Sequence, residues 1–105
     1  MVNWKNLLKK IPSHIQVTKK ARYEVVWTDG FLDPNVMGET RFDPNQIVIK
    51  NNLSPKETVT TYIHEVIHAI SNEYDVGLTE TQVRALEKSL YYVLKNDNML
   101  KEGKK

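Results

Sequence analysis

Ser54-Pro55-Lys56-Glu57-Thr58-Val59-Thr60-Thr61-Tyr62-Ile63-His64-Glu65-Val66-Ile67-His68-Ala69-Ile70-Ser71-Asn72-Glu73-Tyr74-Asp75-Val76-Gly77 is the stretch on which the fold turns. It opens with a capping Ser, a Pro at the first helical position and a Glu three residues after the cap, a pattern that starts a helix. Val59, Ile63, Val66, Ile67, Ile70 and Tyr74 then recur at intervals of three and four, the spacing of one helix face, and Gly77 supplies a stop. Within this helix His64 and His68 differ by about 40° around the axis and about 6 Å along it, so both imidazoles project from one side and can share a Zn2+ ion. Glu65 flanks that side, where its carboxylate can take a proton from a zinc-bound water. The bland alternative is an exposed polar face on which Glu65 and His68 form an ordinary i,i+3 pair.

Beyond Gly77, Thr79-Glu80-Thr81-Gln82 repeats the capping pattern, and Val83, Leu86, Leu90, Val93 and Leu94 form the stripe of a second helix. Two helices joined by so short a loop should pack antiparallel. A catalytic zinc site takes three protein ligands and keeps a fourth position open. The third histidine, His14, is distant in sequence, so the carboxylates of the second helix are the better candidates. Glu80 lies three residues before Val83, on the apolar side. Glu87 is its rival, because in a hairpin reversing near Tyr74 the histidines lie about 9–15 Å below the top, level with Glu87. Glu80 reaches them if residues 75–78 run back down beside the first helix, a distance of about 13 Å for four extended residues. Geometry permits either.

Toward the N-terminus, Gln46-Ile47-Val48-Ile49-Lys50 and Gly38-Glu39-Thr40-Arg41-Phe42 flank the turn-forming Asp43-Pro44-Asn45 and read as an antiparallel pair of strands. Tyr23–Thr28, rich in β-branched and aromatic residues, is a further strand that stops at Asp29-Gly30. Ile15 and Val17 begin a more extended stretch, and residues 3–10 form a short helix carrying Trp4, Leu7 and Leu8. The expected order is α-β-β-β-α-α. This is an α+β fold: a small antiparallel three-stranded sheet packed on an antiparallel helical hairpin, with a short N-terminal helix. Residues 1–97 read as a single domain and 98–105 as a polar tail, a candidate for disorder.

Composition narrows the function classes. The 105 residues contain no cysteine, which excludes disulfides, thiolate catalysis, iron–sulfur clusters and Cys-based zinc sites, and fits a reducing compartment. Fifteen Lys and Arg against thirteen Asp and Glu give a net charge of +2, too slight a surplus to point to nucleic acid. No stretch approaches the ~18 apolar residues of a membrane span, and Met1-Val2-Asn3-Trp4-Lys5-Asn6 has no apolar signal-peptide core, so a cytoplasmic location is expected.

Gln46-Ile47-Val48-Ile49-Lys50, Ser54-Pro55, Thr60 through Ile70 around His64-Glu65-Val66-Ile67-His68, and Leu78-Thr79-Glu80-Thr81-Gln82-Val83 together resemble the small HExxH zinc metallopeptidase-like proteins of phages and prophages. These are related in outline to the ImmA/IrrE-type peptidases and the minimal gluzincins. The resemblance covers roughly residues 36–97. It implies a zincin-like domain with Zn2+ as cofactor, and a glutamate opening the following helix as third ligand, hence metal ligands His64, His68 and Glu80. Departures are visible too: the interval from His68 to Glu80 is shorter than in the larger peptidases, and Glu80-Thr81-Gln82 stands where a Glu-Ala-Asn run is common. The implied activity is that of a zinc-dependent endopeptidase-like hydrolase with Glu65 as the catalytic base, acting on a protein or peptide in extended form. If Gln46–Lys50 is a sheet edge, it could hold such a peptide by strand addition; as plain packing, Ile47 and Ile49 face inward. Tyr62, Tyr74, Tyr91, Tyr92 and His14 are available to polarise the carbonyl, none singled out. The alternative is a non-catalytic, zinc-stabilised protein-interaction module. Oligomeric state and a side-chain pocket are left open by the sequence.

Overall fold

The computed structural model describes residues 3–96, with side chains described as far as residue 93; the polar tail expected at 98–105 lies outside the described residues. The elements run α1 (Trp4–Lys9), β1 (His14–Gln16), β2 (Arg22–Thr28), β3 (Gly38–Arg41), β4 (Gln46–Lys50), α2 (Pro55–Glu73) and α3 (Glu80–Asn96). The local start signals operate as their chemistry requires. Ser54 Oγ accepts the Glu57 N–H and Glu57 Oε1 accepts the Ser54 N–H, each at 3.1 Å, closing a capping box ahead of α2. Thr79 and Gln82 exchange the same two bonds ahead of α3, at 3.1 and 2.8 Å.

The sheet departs from the expected three-stranded antiparallel arrangement. It has four strands in the order β1-β2-β4-β3, and its central pair, β2 with β4, is parallel. The extended stretch at Ile15 is the fourth strand, pairing antiparallel with β2. β3 and β4 do form the expected antiparallel hairpin, with Thr40 opposite Ile47. What places β4 inside is its composition: Ile47, Val48 and Ile49 are consecutive and all buried, so both its faces need cover. Gly38-Glu39-Thr40-Arg41 is short and polar and takes the edge, as suits an unpaired strand face. The Gln46–Lys50 strand is therefore not a sheet edge, and strand addition along it is precluded by its two neighbours.

Tyr23, Val25, Ile47, Ile49, Ala21 and Ala69 form the core, with Tyr62 and Val66 of α2 packed against it. Each fully buried side chain of the Ile or Tyr class contributes about 1.5–3 kcal/mol of transfer free energy. The Tyr23 hydroxyl, at the bottom of this core, donates to Glu73 Oε2 at 2.6 Å and ties β2 to the last turn of α2. Burial and this hydrogen bond push the phenol up to about 12.

The apolar stripe expected on α2 is only partly interior. Val59 and Ile67 are buried, whereas Ile70 and Tyr74 are exposed. A second row, Thr58, Thr61, Glu65 and Ala69, is buried instead. Three of its four members are polar, and Thr61 and Glu65 lie under β3. α1 is anchored through Trp4, whose ring stacks on Tyr91 of α3 with centroids 5.5 Å apart and planes 15° from parallel. Among the described residues, no helix is long and apolar enough to cross a membrane.

Candidate metal centre

The helical phase of α2 sets His64 and His68 side by side, ring centroids 5.0 Å apart. The Glu80 carboxylate lies across both rings, with Oε2 2.8 Å from His64 Nε2 and Oε1 3.0 Å from His68 Nε2. One donor atom from each of the three residues falls within 4.8 Å of the others, so the group can hold a metal ion.

How Glu80 reaches the histidines is decided by the turn. α2 ends at Glu73, Asp75 enters the left-handed region at φ 53°, and the chain reverses. The Val76 N–H then donates to the Ser71 carbonyl at 3.1 Å and the Leu78 N–H to Ser71 Oγ at 2.9 Å. Both bonds draw the connection back along α2, so α3 starts below the end of α2 and its first residue is level with His68. Glu87, the other candidate, also meets the site, but on the opposite side of His64: its Oε1 is 2.9 Å from Nδ1. A carboxylate on the ring nitrogen that does not face the shared centre fixes the tautomer and ring orientation of a ligating histidine.

Glu65 borders the cleft above the histidines. It is buried, and the Thr40 hydroxyl, which can donate one proton, stands 2.8 Å from its Oε1 and 2.9 Å from its backbone carbonyl. Burial pushes its carboxyl above the ordinary range; Thr40 and the two histidines pull it down, Glu80 adds to the rise, and the net direction is upward. β3 can approach this closely because Gly38 has no side chain. A Cβ there would collide with the Thr61 methyl and stand 3.1 Å from Glu65 Cγ and 3.3 Å from the Val48 carbonyl. Glu80 moves the other way. Desolvation raises its carboxyl, but His64, the hydrogen bond and charge of His68, and Arg84 together outweigh that and leave it lowered.

The donor set fits a divalent ion. Both ring nitrogens of His64 face carboxylate oxygens, and a neutral imidazole has only one N–H to offer. With Nδ1–H donated to Glu87, the Nε2 lone pair is left to face a cation shared with Glu80. A tetrahedral zinc with bonds of about 2.0–2.1 Å spaces its ligands about 3.3 Å apart, and the three donor atoms lie within 4.8 Å of one another. Two imidazoles and a carboxylate suit zinc or a neighbouring transition metal better than the all-oxygen cations.

A cavity of about 1010 Å3 opens over the triad, walled by β3 and the loop before it, by α2 and by the first turns of α3. Of the groups that could polarise a carbonyl, Tyr62, Tyr74, Tyr91, Tyr92 and His14 do not line it. His14 sits on β1, at the far edge of the sheet. Thr40, Gly38 and Arg84 do line it, and were not singled out by the sequence. The usable signal is Gly38, a glycine opening a strand, which marks a close backbone approach. Comparison with models of protein families, with curated proteins and with solved structures gives no match. What the structure sustains of the resemblance is thus the His64, His68 and Glu80 group itself.

Proposed function

We propose that the protein is a zinc-dependent peptidase-like hydrolase whose ion is held by His64, His68 and Glu80. The observation that carries this reading is the convergence of two imidazole nitrogens and one carboxylate under an open cavity, with a buried carboxylate, Glu65, on the adjacent helix position. When bound, zinc supplies Lewis acidity, polarising a carbonyl and bringing the pKa of a water toward about 7. Glu65 is the general base: it accepts a proton as water attacks the carbonyl carbon, and returns it to the amine nitrogen as the C–N bond breaks. Thr40 keeps the Glu65 carboxylate on one side, and Glu87 keeps the His64 ring in plane. The substrate is a protein or peptide in extended form. β3 is the sheet edge that lines the cavity, and an unpaired edge offers N–H and C=O groups to a strand laid beside it.

Glu65→Gln tests the base. The variant is expected to bind zinc as the parent does and to hydrolyse casein or a quenched peptide library about 100- to 10,000-fold more slowly. A variant that still turns over at more than a tenth of the parental rate removes Glu65 from the mechanism. Zinc binding by a parent protein that hydrolyses nothing favours the non-catalytic, zinc-stabilised interaction module.

A further inference from the structure

Arg84 follows Glu80 by one turn of α3, and its Nε lies 3.4 Å from Glu80 Oε2. Its side chain is 73% exposed and lines the cavity over the triad, and Lys88, a further turn along, lines the same wall. Positions 80, 84 and 88 form one i,i+4 row, so the wall presents a carboxylate and then two cations in succession.

As the chain stands, Glu80 answers His64, His68 and Arg84 at once. A divalent ion drawing on the same carboxylate would weaken its hold on the guanidinium, which borders the cavity in either case. The other carboxylates around the cavity are engaged or remote from this wall: Glu39 pairs with Arg41 at 3.2 Å, Glu87 with His64 at 2.9 Å, and Glu65 with Thr40 at 2.8 Å. Asp75 lies at the turn end. A guanidinium bordering such a space matches a carboxylate with two parallel N–H···O bonds.

We propose that Arg84, seconded by Lys88, recognises a carboxylate on the substrate, so that preferred peptides carry Asp or Glu near the scissile bond, or end there in a free C-terminus. The proposal rests on the peptidase reading and names its substrate class.

The test uses the zinc-loaded full chain and blocked peptides in pairs that differ only by Glu or Gln at one position, at low ionic strength. The Glu member is expected to be favoured about tenfold in kcat/KM, mainly through KM, with the ratio shrinking as salt is added. Arg84→Gln should bring the ratio close to one, Arg84→Lys should retain part of it, and zinc should bind at least as tightly, since a nearby positive charge has gone. Free and amidated C-termini on the Gln peptide separate the two sources of the carboxylate. Equal hydrolysis of all pairs by an active protein overturns the proposal. So does an Arg84→Gln loss confined to kcat and equal for both members, which would place Arg84 on the reacting carbonyl, or a loss that follows weakened zinc binding. If no peptide is cleaved, the peptidase reading falls. Calorimetric binding then decides on its own: a Glu preference abolished by Arg84→Gln sustains carboxylate recognition, and equal binding overturns it.

Discussion

Replacing Glu87 by Gln leaves the two imidazoles and the Glu80 carboxylate in place and removes only the anion behind His64 Nδ1. Glu80→Gln removes the oxygen pair that lies 2.8 and 3.0 Å from the two Nε2 atoms. The two substitutions are the same chemical change seven residues apart, so their comparison isolates the third ligand. At free zinc one hundred times the parental Kd, binding stabilises the fold by about 2.7 kcal/mol. For a domain of this size that is a rise in Tm of roughly 11–22 °C. Loss of the carboxylate behind a ligating histidine weakens metal affinity about 10- to 100-fold. The same zinc then stands at roughly one to ten times the new Kd and contributes about 0.4–1.4 kcal/mol, a rise of roughly 2–11 °C. Glu80→Gln, having lost the anionic donor itself, is expected to show almost no rise. Thermal melts with and without zinc, checked by competition with a chromophoric chelator, read both numbers. A Glu87→Gln protein that loses its zinc response while Glu80→Gln keeps it would refute the assignment and make Glu87 the ligand.

Other expectations concern the scaffold. Gly38→Ala forces a methyl against Thr61 and Glu65 and should cost about 1–3 kcal/mol. Gly30→Ala, where a Cβ meets nothing within 4 Å, should stay within about 0.5 kcal/mol. Chemical denaturation of both variants checks the pair, and equal costs would mean β3 does not approach α2 as described. Tyr23→Phe should cost about 1–2 kcal/mol through the lost bond to Glu73. Because the Tyr23 phenol is raised from 10.0 to about 12, its contribution is fully present below pH 10 and is lost as pH rises toward 12. The parental stability should therefore fall more steeply over that window than that of Tyr23→Phe, and parallel curves would contradict the raised value.

The parts legible in the sequence were those written locally. The two capping boxes, the turn at Asp43-Pro44-Asn45 and the convergence of His64 with His68 each depend on residues a few positions apart, and each is present. Glu80 and Glu87 could not be separated by spacing, because the difference lies in two bonds from the turn to Ser71, which no periodicity displays. Strand order is non-local in the same sense. The three-stranded antiparallel expectation took neighbouring strands as partners, although the run Ile47-Val48-Ile49, apolar on both faces, already described an interior strand. The α2 stripe misled for a different reason: the side of the helix that meets β3 is buried by the site and not by apolar packing, so it carries Thr61 and Glu65.

Thr40 reaches Glu65 only because it stands opposite Ile47 in the β3–β4 ladder. Shifting that pairing by one residue reverses every side chain of β3 and brings Glu39 or Arg41 to Thr40's place in the ladder. Glu39 would set a second carboxylate against Glu65 and discourage its ionisation; Arg41 would neutralise it and take away its basicity. Four residues, Phe42-Asp43-Pro44-Asn45, close the hairpin, and their number sets the alignment of the strand above the base. Adding or deleting one residue there would retune the acid–base chemistry of the cleft without substituting any of the candidate ligands or the base.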